Sequence, residues 1–179
     1  MRLHQFWAAA AVAVATLTGA AFADVTVDRP DRTKNPGFAH SLEYLQSLPA
    51  PTGDAEWQCL TKALYFEARG ESLMGQFAVA EVILNRVDSP KYPNTVCGVV
   101  EQGGKGACQF SYTCDGARDT MAEKGAADLA GRIARVMLDG APRNLTYGAM
   151  HFHTRSVKPS WTRRFERTAS IGAHLFYRP

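Results

Sequence analysis

The sequence predicts an α+β domain that is mainly helical, with a small antiparallel β-sheet near its carboxyl end and disulfide bonds that staple it. Apolar residues recur at helical spacing in two consecutive segments that end near residues 68 and 87, and again over residues 118–139. Apolar and polar residues alternate over 150–154, which is typical of a strand. The four cysteines form an even set, which favours disulfide bonds in an exported chain.

The first 23 residues have the parts of a secretory signal peptide. Arg2 precedes an apolar run from Phe6 to Leu17, and Ala21-Phe22-Ala23 suits cleavage after Ala23. The run is short for a bilayer span and no second one follows. We therefore expect no stable membrane insertion, and a periplasmic or secreted mature chain that is a monomer.

Residues 24–54 contain four prolines and two glycines among polar residues, which predicts an extended or partly disordered arm, with room for a single helical turn. Residues 55–179 then form the domain proper, of a length that suits one core. Removing Arg2 with the signal lowers the formal net charge from +3 to +2, which does not suit a nucleic-acid-binding protein. Basic residues nevertheless outnumber acidic ones over 155–178, so that end suits either an anionic polymer or a solvated surface.

All four cysteines, Cys59, Cys97, Cys108 and Cys114, follow the signal segment. Three pairings are possible, and we favour Cys59 with Cys97 and Cys108 with Cys114, because the second pair closes a short loop. Loop entropy gives these bonds stabilisations of roughly 4 and roughly 2 kcal/mol. A zinc site is the alternative, although the chain contains no Cys-x-x-Cys.

The first predicted helix begins after Asp54, a suitable N-cap, and carries Glu67 in its apolar last turn. Gly70 follows where helices often end, and Ser72 suits the N-cap of a second helix over residues 73–87. A carboxyl group against apolar surface has a raised pKa and can act as a general acid. The structural alternatives are an ion pair of Glu67 with Arg69 or Arg86, and a helix cap formed by Glu71.

Residues 88–117 form a long connection, a length that in a compact domain usually indicates function or disorder. Within it, the segment Gln109, Phe110, Ser111 and Tyr112 offers an amide, a hydroxyl and ring faces that suit a sugar. A third helix is predicted over 118–139, closed by Gly140 and Pro142.

The strand predicted at 150–154 places His151 and His153 on one face. A second strand-like stretch follows after Ser160-Trp161. With His174, the two histidines could form a metal triad, as in exported zinc amidases. We expect no metal, because the chain lacks His-Glu-x-x-His and histidines in aromatic strands more often line a core or a groove.

Several segments together resemble the cell-wall hydrolase family typified by the spore cortex-lytic enzymes (SleB/CwlJ type). They are 63–71 (ALYFEARGE), 75–76 (GQ), 78–80 (AVA), 82–87 (VILNRV), 92–96 (YPNTV), 99–100 (VV), 109–111 (QFS), 151–153 (HFH), 159–161 (PSW) and 174–177 (HLFY). They recur in the family's order over about residues 57–178, and the combination is highly specific.

The resemblance implies a lysozyme-like catalytic domain that acts on peptidoglycan glycan strands without a cofactor. In that family the first glutamate of Glu-Ala-Arg-Gly-Glu is the general acid, which corresponds to Glu67. Glu71 matches the second glutamate, for which we predict a supporting role in substrate binding. We place Gln109 to Tyr112 and the side chains of His151, His153 and Trp161 along the substrate groove.

The expected reaction is cleavage between N-acetylmuramic acid (MurNAc) and N-acetylglucosamine (GlcNAc), with Glu67 as acid and then base. A hydrolytic muramidase would need a second carboxylate, for which Glu71 and Asp115 are the candidates. Without one, the muramic acid's own 6-hydroxyl attacks, as in a lytic transglycosylase. A zinc amidase and a non-catalytic peptidoglycan-binding module are the alternatives from other classes.

Overall fold

The structure is a computed structural model that describes residues 37–103 and 108–179. The predicted signal peptide, its cleavage point and the first residues of the predicted arm lie outside this part of the chain. The helices are α1 (Leu42–Ser47), α2 (Ala55–Ala68), α3 (Leu73–Val87), α4 (Val96–Val100) and α5 (Lys124–Leu138). The strands are β1 (His151–Thr154), β2 (Glu166–Ile171) and β3 (His174–Arg178), and short 3-10 helices cover Ser111–Thr113 and Ser160–Arg163.

Helices α2 and α3 begin at the two predicted caps. The Asp54 carboxylate accepts a hydrogen bond from the Trp57 amide (3.0 Å), and the Ser72 hydroxyl accepts one from the Gly75 amide (3.2 Å). Each bond satisfies an amide that has no partner inside its helix. The observed bounds of α3 coincide with those predicted.

Helix α3 lies at the centre of the fold because it is apolar on nearly every side. Phe77 and Ile83 are fully buried in the core shared with α2, α4 and α5. Ala78 and Val82 pack instead against Ala149 and against Phe176 of β3. The helix therefore joins the helical part of the domain to the sheet.

The third long helix is shorter than predicted. It begins at Lys124, not near residue 118, and it ends at Leu138. The Glu123 amide donates to the phenol oxygen of Tyr65 (3.0 Å), and the Glu123 carboxylate pairs with Arg69 (3.2 Å). These contacts with α2 fix the residue before the helix in an extended conformation, a tertiary effect that periodicity does not show.

The core reaches back into the region predicted as an arm. Leu45 of α1 is fully buried, and Phe38, Tyr44 and Leu48 pack against the same cluster. The Arg132 guanidinium on α5 donates to the carbonyls of Leu45 and Leu48 (2.8 and 2.7 Å). Residues from 38 onward are thus packed on the domain, and the single helical turn allowed by the sequence is α1.

The sheet is antiparallel, with strand order β1-β3-β2. β1 and β2 flank the 3-10 helix Ser160–Arg163, as expected, but they pair through β3 and not with each other. Phe152 lies opposite Phe176, and both face α3, whereas His151 lies opposite Tyr177 on the other face. The sheet thus presents an aromatic surface on the side away from the core.

Two disulfides are present, Cys59–Cys97 and Cys108–Cys114, the pairing favoured from the sequence. The first joins α2 to α4, and the second closes the loop around Ser111–Thr113. A mainly helical domain with a small antiparallel sheet and two disulfides is the predicted fold class.

No helix among residues 37–103 and 108–179 is long and apolar enough to cross a membrane.

Candidate active site

Glu67 lies in the last turn of α2, immediately before the break that separates α2 from α3. Its neighbours Leu64 and Ala68 are buried in the core, and Glu67 itself is partly buried. Burial raises the pKa of the Glu67 carboxyl above its usual range. A protonated acid is therefore available at a higher pH here than on an exposed glutamate.

The structure does not form the ion pairs considered as alternatives for Glu67. Arg69 binds Glu123 instead and lies over the ring of Tyr65. Arg86 donates to the Met150 carbonyl (2.7 Å). Within the described part of the chain, the Glu67 carboxylate has no hydrogen-bond or ion-pair partner, so it is free to meet a ligand.

Tyr112 is an aromatic residue whose phenol interacts electrostatically with the Glu67 carboxylate. It lies in the loop closed by Cys108–Cys114, is buried, and stacks on Phe66 of α2 with ring centroids 4.6 Å apart. Burial, and then the charges of Asp119, Glu67 and Glu101, raise the pKa of the Tyr112 phenol above its usual range. The phenol thus stays neutral and can donate a hydrogen bond beside the expected acid.

The preceding residues of this loop contact a buried arginine. The amide of Gln109, oriented with its oxygen towards Arg86, accepts from both terminal nitrogens of that guanidinium (3.2 and 3.3 Å). The guanidinium lies 5.7 Å from the Phe110 ring centroid and 5.4 Å from that of Tyr92. Gln109 is exposed and is anchored from below by Arg86. Phe110 is buried in the core, so the prediction that its ring lines the substrate groove is wrong.

Beyond Arg86 the aromatic side chains of the sheet form one cluster, which we call the aromatic cluster. Its members are Tyr92, His151, His153, Trp161, Phe165 and Tyr177. His151 accepts from or donates to the Tyr92 phenol (3.1 Å), and His153 pairs in the same way with Tyr177 (3.1 Å). Contacts therefore link Gln109 and Phe110 through Arg86 to the aromatic cluster, and Tyr112 belongs to the same loop as Gln109 and Phe110.

Burial, with a smaller effect from Arg86, lowers the pKa of His151 to about 4. The ring is consequently neutral near pH 7, and together with Trp161 it offers flat faces with little charge. Flat faces bordered by polar groups suit the stacking of sugar rings. The predicted residues Gln109, Tyr112, His151, His153 and Trp161 thus lie along one connected series of contacts.

Glu71, by contrast, faces the turn between β2 and β3. Its carboxylate accepts from the Ala173 amide (2.9 Å) and lies 3.4 Å from Nδ1 of His174 without forming a hydrogen bond to it. A Cβ on Gly172 would lie 2.1 Å from the same carboxylate, which explains the glycine at this positive φ of 58°. The N-cap of α3 is Ser72, so the alternative of a helix cap formed by Glu71 is wrong. The Glu71 carboxylate instead holds the β2–β3 turn against the start of α3.

Asp115, the other candidate for a second carboxylate, is exposed and accepts from the Ala117 amide (2.8 Å) in its own loop. Both candidate carboxylates are therefore engaged in local structure.

The three histidines considered as a metal triad are divided between the two faces of the sheet. His174 is opposite Thr154 and packs edge-on against Phe152, on the face towards α3. His151 and His153 lie on the other face. Among residues 37–103 and 108–179, no three His, Cys, Asp or Glu side chains are grouped so as to hold a metal ion.

Several residues near the site were missed by sequence reasoning. Glu81 is fully buried and accepts from the amides of Leu145 and Thr146 (2.9 and 3.0 Å), which fixes the segment before β1. A charged residue in the middle of an apolar helix was the available signal for it, and Arg86 gave the same signal near the end of α3. Lys62, Glu101 and Asp119 line a cavity beside Tyr112, and their spacing gives no signal of this.

A family model described as Cell Wall Hydrolase matches residues 70–177. The chain is also similar to a spore cortex-lytic enzyme of Halalkalibacterium halodurans, 47% identical over 60 residues that cover 34% of this chain and 18% of that protein. The matched part thus spans about a fifth of the length of this curated relative.

Two solved structures resemble the fold. One is the catalytic domain of the germination-specific lytic transglycosylase SleB from Bacillus anthracis, at 28% identity and a TM-score of 0.52, covering 73% of this chain and 100% of that one. The other is the catalytic domain of the Bacillus cereus SleB protein, with the same identity and TM-score, covering 73% and 95%. These likenesses confirm the predicted fold class and the resemblance on which it rests.

Proposed function

The chain belongs to the cell wall hydrolase family, and from this we propose that it cleaves the glycan strands of peptidoglycan as a lytic transglycosylase, at the MurNAc-GlcNAc bond. The observation that carries the proposal is Glu67, a partly buried carboxyl of raised pKa with no partner within the described residues, beside the neutral phenol of Tyr112. Glu67 lies three positions before the segment that the family model matches. Its role is therefore argued from its surroundings and from the sequence motif.

In the proposed reaction, protonated Glu67 gives its proton to the oxygen that bridges C1 of MurNAc and the GlcNAc ring. The C1–O bond breaks, GlcNAc leaves with a free hydroxyl, and C1 takes on oxocarbenium character. The 6-hydroxyl of the same MurNAc then bonds to C1 and passes its proton to the Glu67 carboxylate. The product is a 1,6-anhydro end, no water is consumed, and Glu67 regains its proton.

The engagement of Glu71 and Asp115, the two second carboxylates predicted from the sequence, favours this route over hydrolysis that uses either of them. A hydrolase of the usual kind places its second carboxylate about 5 to 5.5 Å or about 6.5 to 9.5 Å from the acid. The Glu71 carboxylate is held by the Ala173 amide, and the Asp115 carboxylate by the Ala117 amide. Transglycosylation needs no second carboxylate because the nucleophile belongs to the substrate.

The aromatic cluster and the exposed loop residues Gln109 and Ser111 are the proposed binding surface for the glycan, with Tyr112 beside Glu67. Trp161 and His151 would stack against sugar rings, while the exposed amide of Gln109 and hydroxyl of Ser111 would bond to hydroxyl or acetamido groups. Glu71 is proposed to act indirectly, by fixing the β2–β3 turn on α3. No cofactor is required by the proposed reaction.

Export is part of the proposal. Two disulfides lie within the described residues, and such bonds persist in oxidising compartments outside the cytosol. Peptidoglycan is found in the same compartments. The predicted signal peptide would deliver the chain there, as a periplasmic or secreted protein.

The test is mass spectrometry of the soluble products released from purified peptidoglycan by residues 24–179 and by its Glu67→Gln variant. We expect anhydro-muropeptides from the wild type and a loss of at least ~100-fold in the variant, because general acid catalysis contributes about that much or more. Glu43→Gln, which removes an exposed acid on α1, is the matched control and should behave like wild type.

Reducing ends in place of anhydro ends would identify a hydrolytic muramidase and contradict the transglycosylase proposal. Free stem peptides that disappear with a chelator would indicate a zinc amidase. Binding without any product, equal in wild type and Glu67→Gln, would identify a non-catalytic module. Products that survive Glu67→Gln would remove Glu67 from its proposed role.

A further inference from the structure

A cavity of about 630 Å³ lies beside Tyr112, next to the face of α2 that carries Lys62. Its wall includes the Cys108–Cys114 disulfide, so the short loop that holds Tyr112 also shapes the cavity. Binding pockets for small ligands usually measure about 300 to 1,000 Å³. The volume therefore suits a group the size of a few amino acids or one sugar.

Three charged side chains line this cavity: Lys62 from α2, Glu101 at the end of α4, and Asp119 before α5. None of the three has a hydrogen-bond or ion-pair partner for its side chain within the described residues. Charged groups at a binding surface are arranged to complement the charges of the bound partner. Two anions and one cation at one cavity suit a ligand that carries charges of both signs.

Tyr112 lines the cavity and also interacts with the charge of Glu67. The phenol ring forms part of the cavity wall, and its pKa responds to the charges of Asp119, Glu67 and Glu101 alike. A ligand that reaches Glu67 could thus extend past Tyr112 into the cavity. In peptidoglycan the peptide stem begins on the muramic acid, the sugar whose C1 bond would be broken, so the stem leaves the strand close to the acid.

We propose that this cavity binds the peptide stem of the strand being cleaved, by means of an amino acid that bears both a free ammonium and a free carboxylate group. The ammonium lies between Glu101 and Asp119, and the carboxylate pairs with Lys62. This site rests on the proposed function, since it assumes that Glu67 acts on the same strand. The consequence is a preference for glycan that still carries its stems.

The first experiment compares cleavage of three substrates: glycan strands with stems, the same strands stripped of stems by an amidase, and strands whose stem ammonium groups are acetylated. We expect the wild type to cleave strands with intact stems faster than stripped strands and faster than strands with acetylated stems. Asp119→Asn and Lys62→Met should each lower the preference about fivefold, as loss of one charged contact predicts. Glu43→Gln is the control and should keep the wild-type preference.

Equal rates of wild type on stem-bearing and stripped strands would overturn the cavity proposal while leaving the proposed function intact. So would an Asp119→Asn variant that slows both substrates by the same factor, since that result would place Asp119 in the chemistry. If wild type cleaves neither substrate, the proposed function fails.

A binding experiment tests the cavity independently of turnover. The Kd of a soluble disaccharide with its stem is measured calorimetrically for Glu67→Gln and for the double variant Glu67→Gln with Asp119→Asn. We expect about fivefold weaker binding in the double variant, and the same Kd for both proteins when the disaccharide has no stem. Equal affinity for the stem-bearing ligand would overturn the proposal even if no cleavage were observed.

Discussion

At the scale of residues, the important contrast is between the two glutamates of one motif. Glu67 and Glu71 are four positions apart, yet the first has no described partner and a raised pKa, whereas the second accepts a backbone amide under the β2–β3 turn. Helix α2 ends at Ala68, between the two glutamates, so Glu71 does not lie on the same helix as Glu67. Position in the motif alone therefore does not fix what each carboxylate does.

Glu67 gives a prediction about pH. We expect kcat/KM on peptidoglycan to fall as the pH rises through the pKa of Glu67, because only the protonated acid can donate. Burial raises that pKa above its usual range, so the fall occurs at a higher pH than for an exposed glutamate. The measurement is the pH profile of the initial rate with soluble glycan strands.

The same shift has a consequence for stability. Because the folded pKa is raised, the unfolded chain loses this proton first as the pH rises, and folding becomes less favourable between the two pKa values. Glu67→Gln should therefore be at least as stable as wild type at pH 7, where it is inactive. A fall in kcat/KM centred on the value of an exposed glutamate, or a clearly less stable variant, would contradict this account.

At the scale of elements, the break between α2 and α3 positions both Glu67 and the sheet. Ser72 caps α3, Glu71 binds the β2–β3 turn, and Gly172 leaves room for the carboxylate. Helix α3 then carries Arg86 beneath the Gln109 loop. The elements thus fix Glu67, the Gln109 loop and the aromatic cluster relative to one another.

We expect Glu71→Ala to lower the free energy of unfolding by about 1 to 3 kcal/mol, because the Ala173 amide loses a charge-assisted hydrogen bond. Gly172→Ala should also destabilise the protein, since its Cβ would collide with the Glu71 carboxylate. Urea denaturation measures both, with Glu43→Gln as the control. A Glu71→Ala variant of unchanged stability but raised KM would instead support a direct role of Glu71 in substrate binding.

At the scale of the whole molecule, the two disulfides have different roles: one stabilises the domain and the other fixes the loop beside Glu67. Cys59–Cys97 spans 38 positions and joins α2 to α4, whereas Cys108–Cys114 spans 6 and encloses Tyr112. A longer closed loop removes more entropy from the unfolded chain. The first bond should therefore act mainly on stability and the second on the geometry beside Glu67.

Replacing both cysteines of each pair by serine tests this division. We expect the Cys59/Cys97 variant to lose roughly 4 kcal/mol of unfolding free energy and the Cys108/Cys114 variant roughly 2 kcal/mol. The second variant should lose proportionally more activity, measured under conditions where both remain folded. A Cys108/Cys114 variant with full activity, or one that is less stable than the other, would contradict the assignment.

The sequence by itself determined the fold class, the bounds of α3, both helix caps, the pairing we favoured for the cysteines and the choice of Glu67 as the candidate acid. These features depend on local chemistry: apolar periodicity, capping side chains, loop length and a motif of adjacent residues. Where the outcome depended on a distant partner, the sequence was insufficient. Helix α5 begins at Lys124, and not near residue 118 where it was predicted to begin, because Tyr65 and Arg69 bind Glu123.

Only the tertiary structure decided which charged groups remain without partners. In the structure Arg69 binds Glu123 and Arg86 binds the Met150 carbonyl, so neither pairs with Glu67. Glu71 binds the β2–β3 turn. Lys62, Glu101 and Asp119, from three separate parts of the chain, line one cavity. The structure also separates His174 from His151 and His153 across the sheet. Burial and pairing depend on contacts between segments far apart in the chain, and these contacts leave no periodic pattern in the sequence.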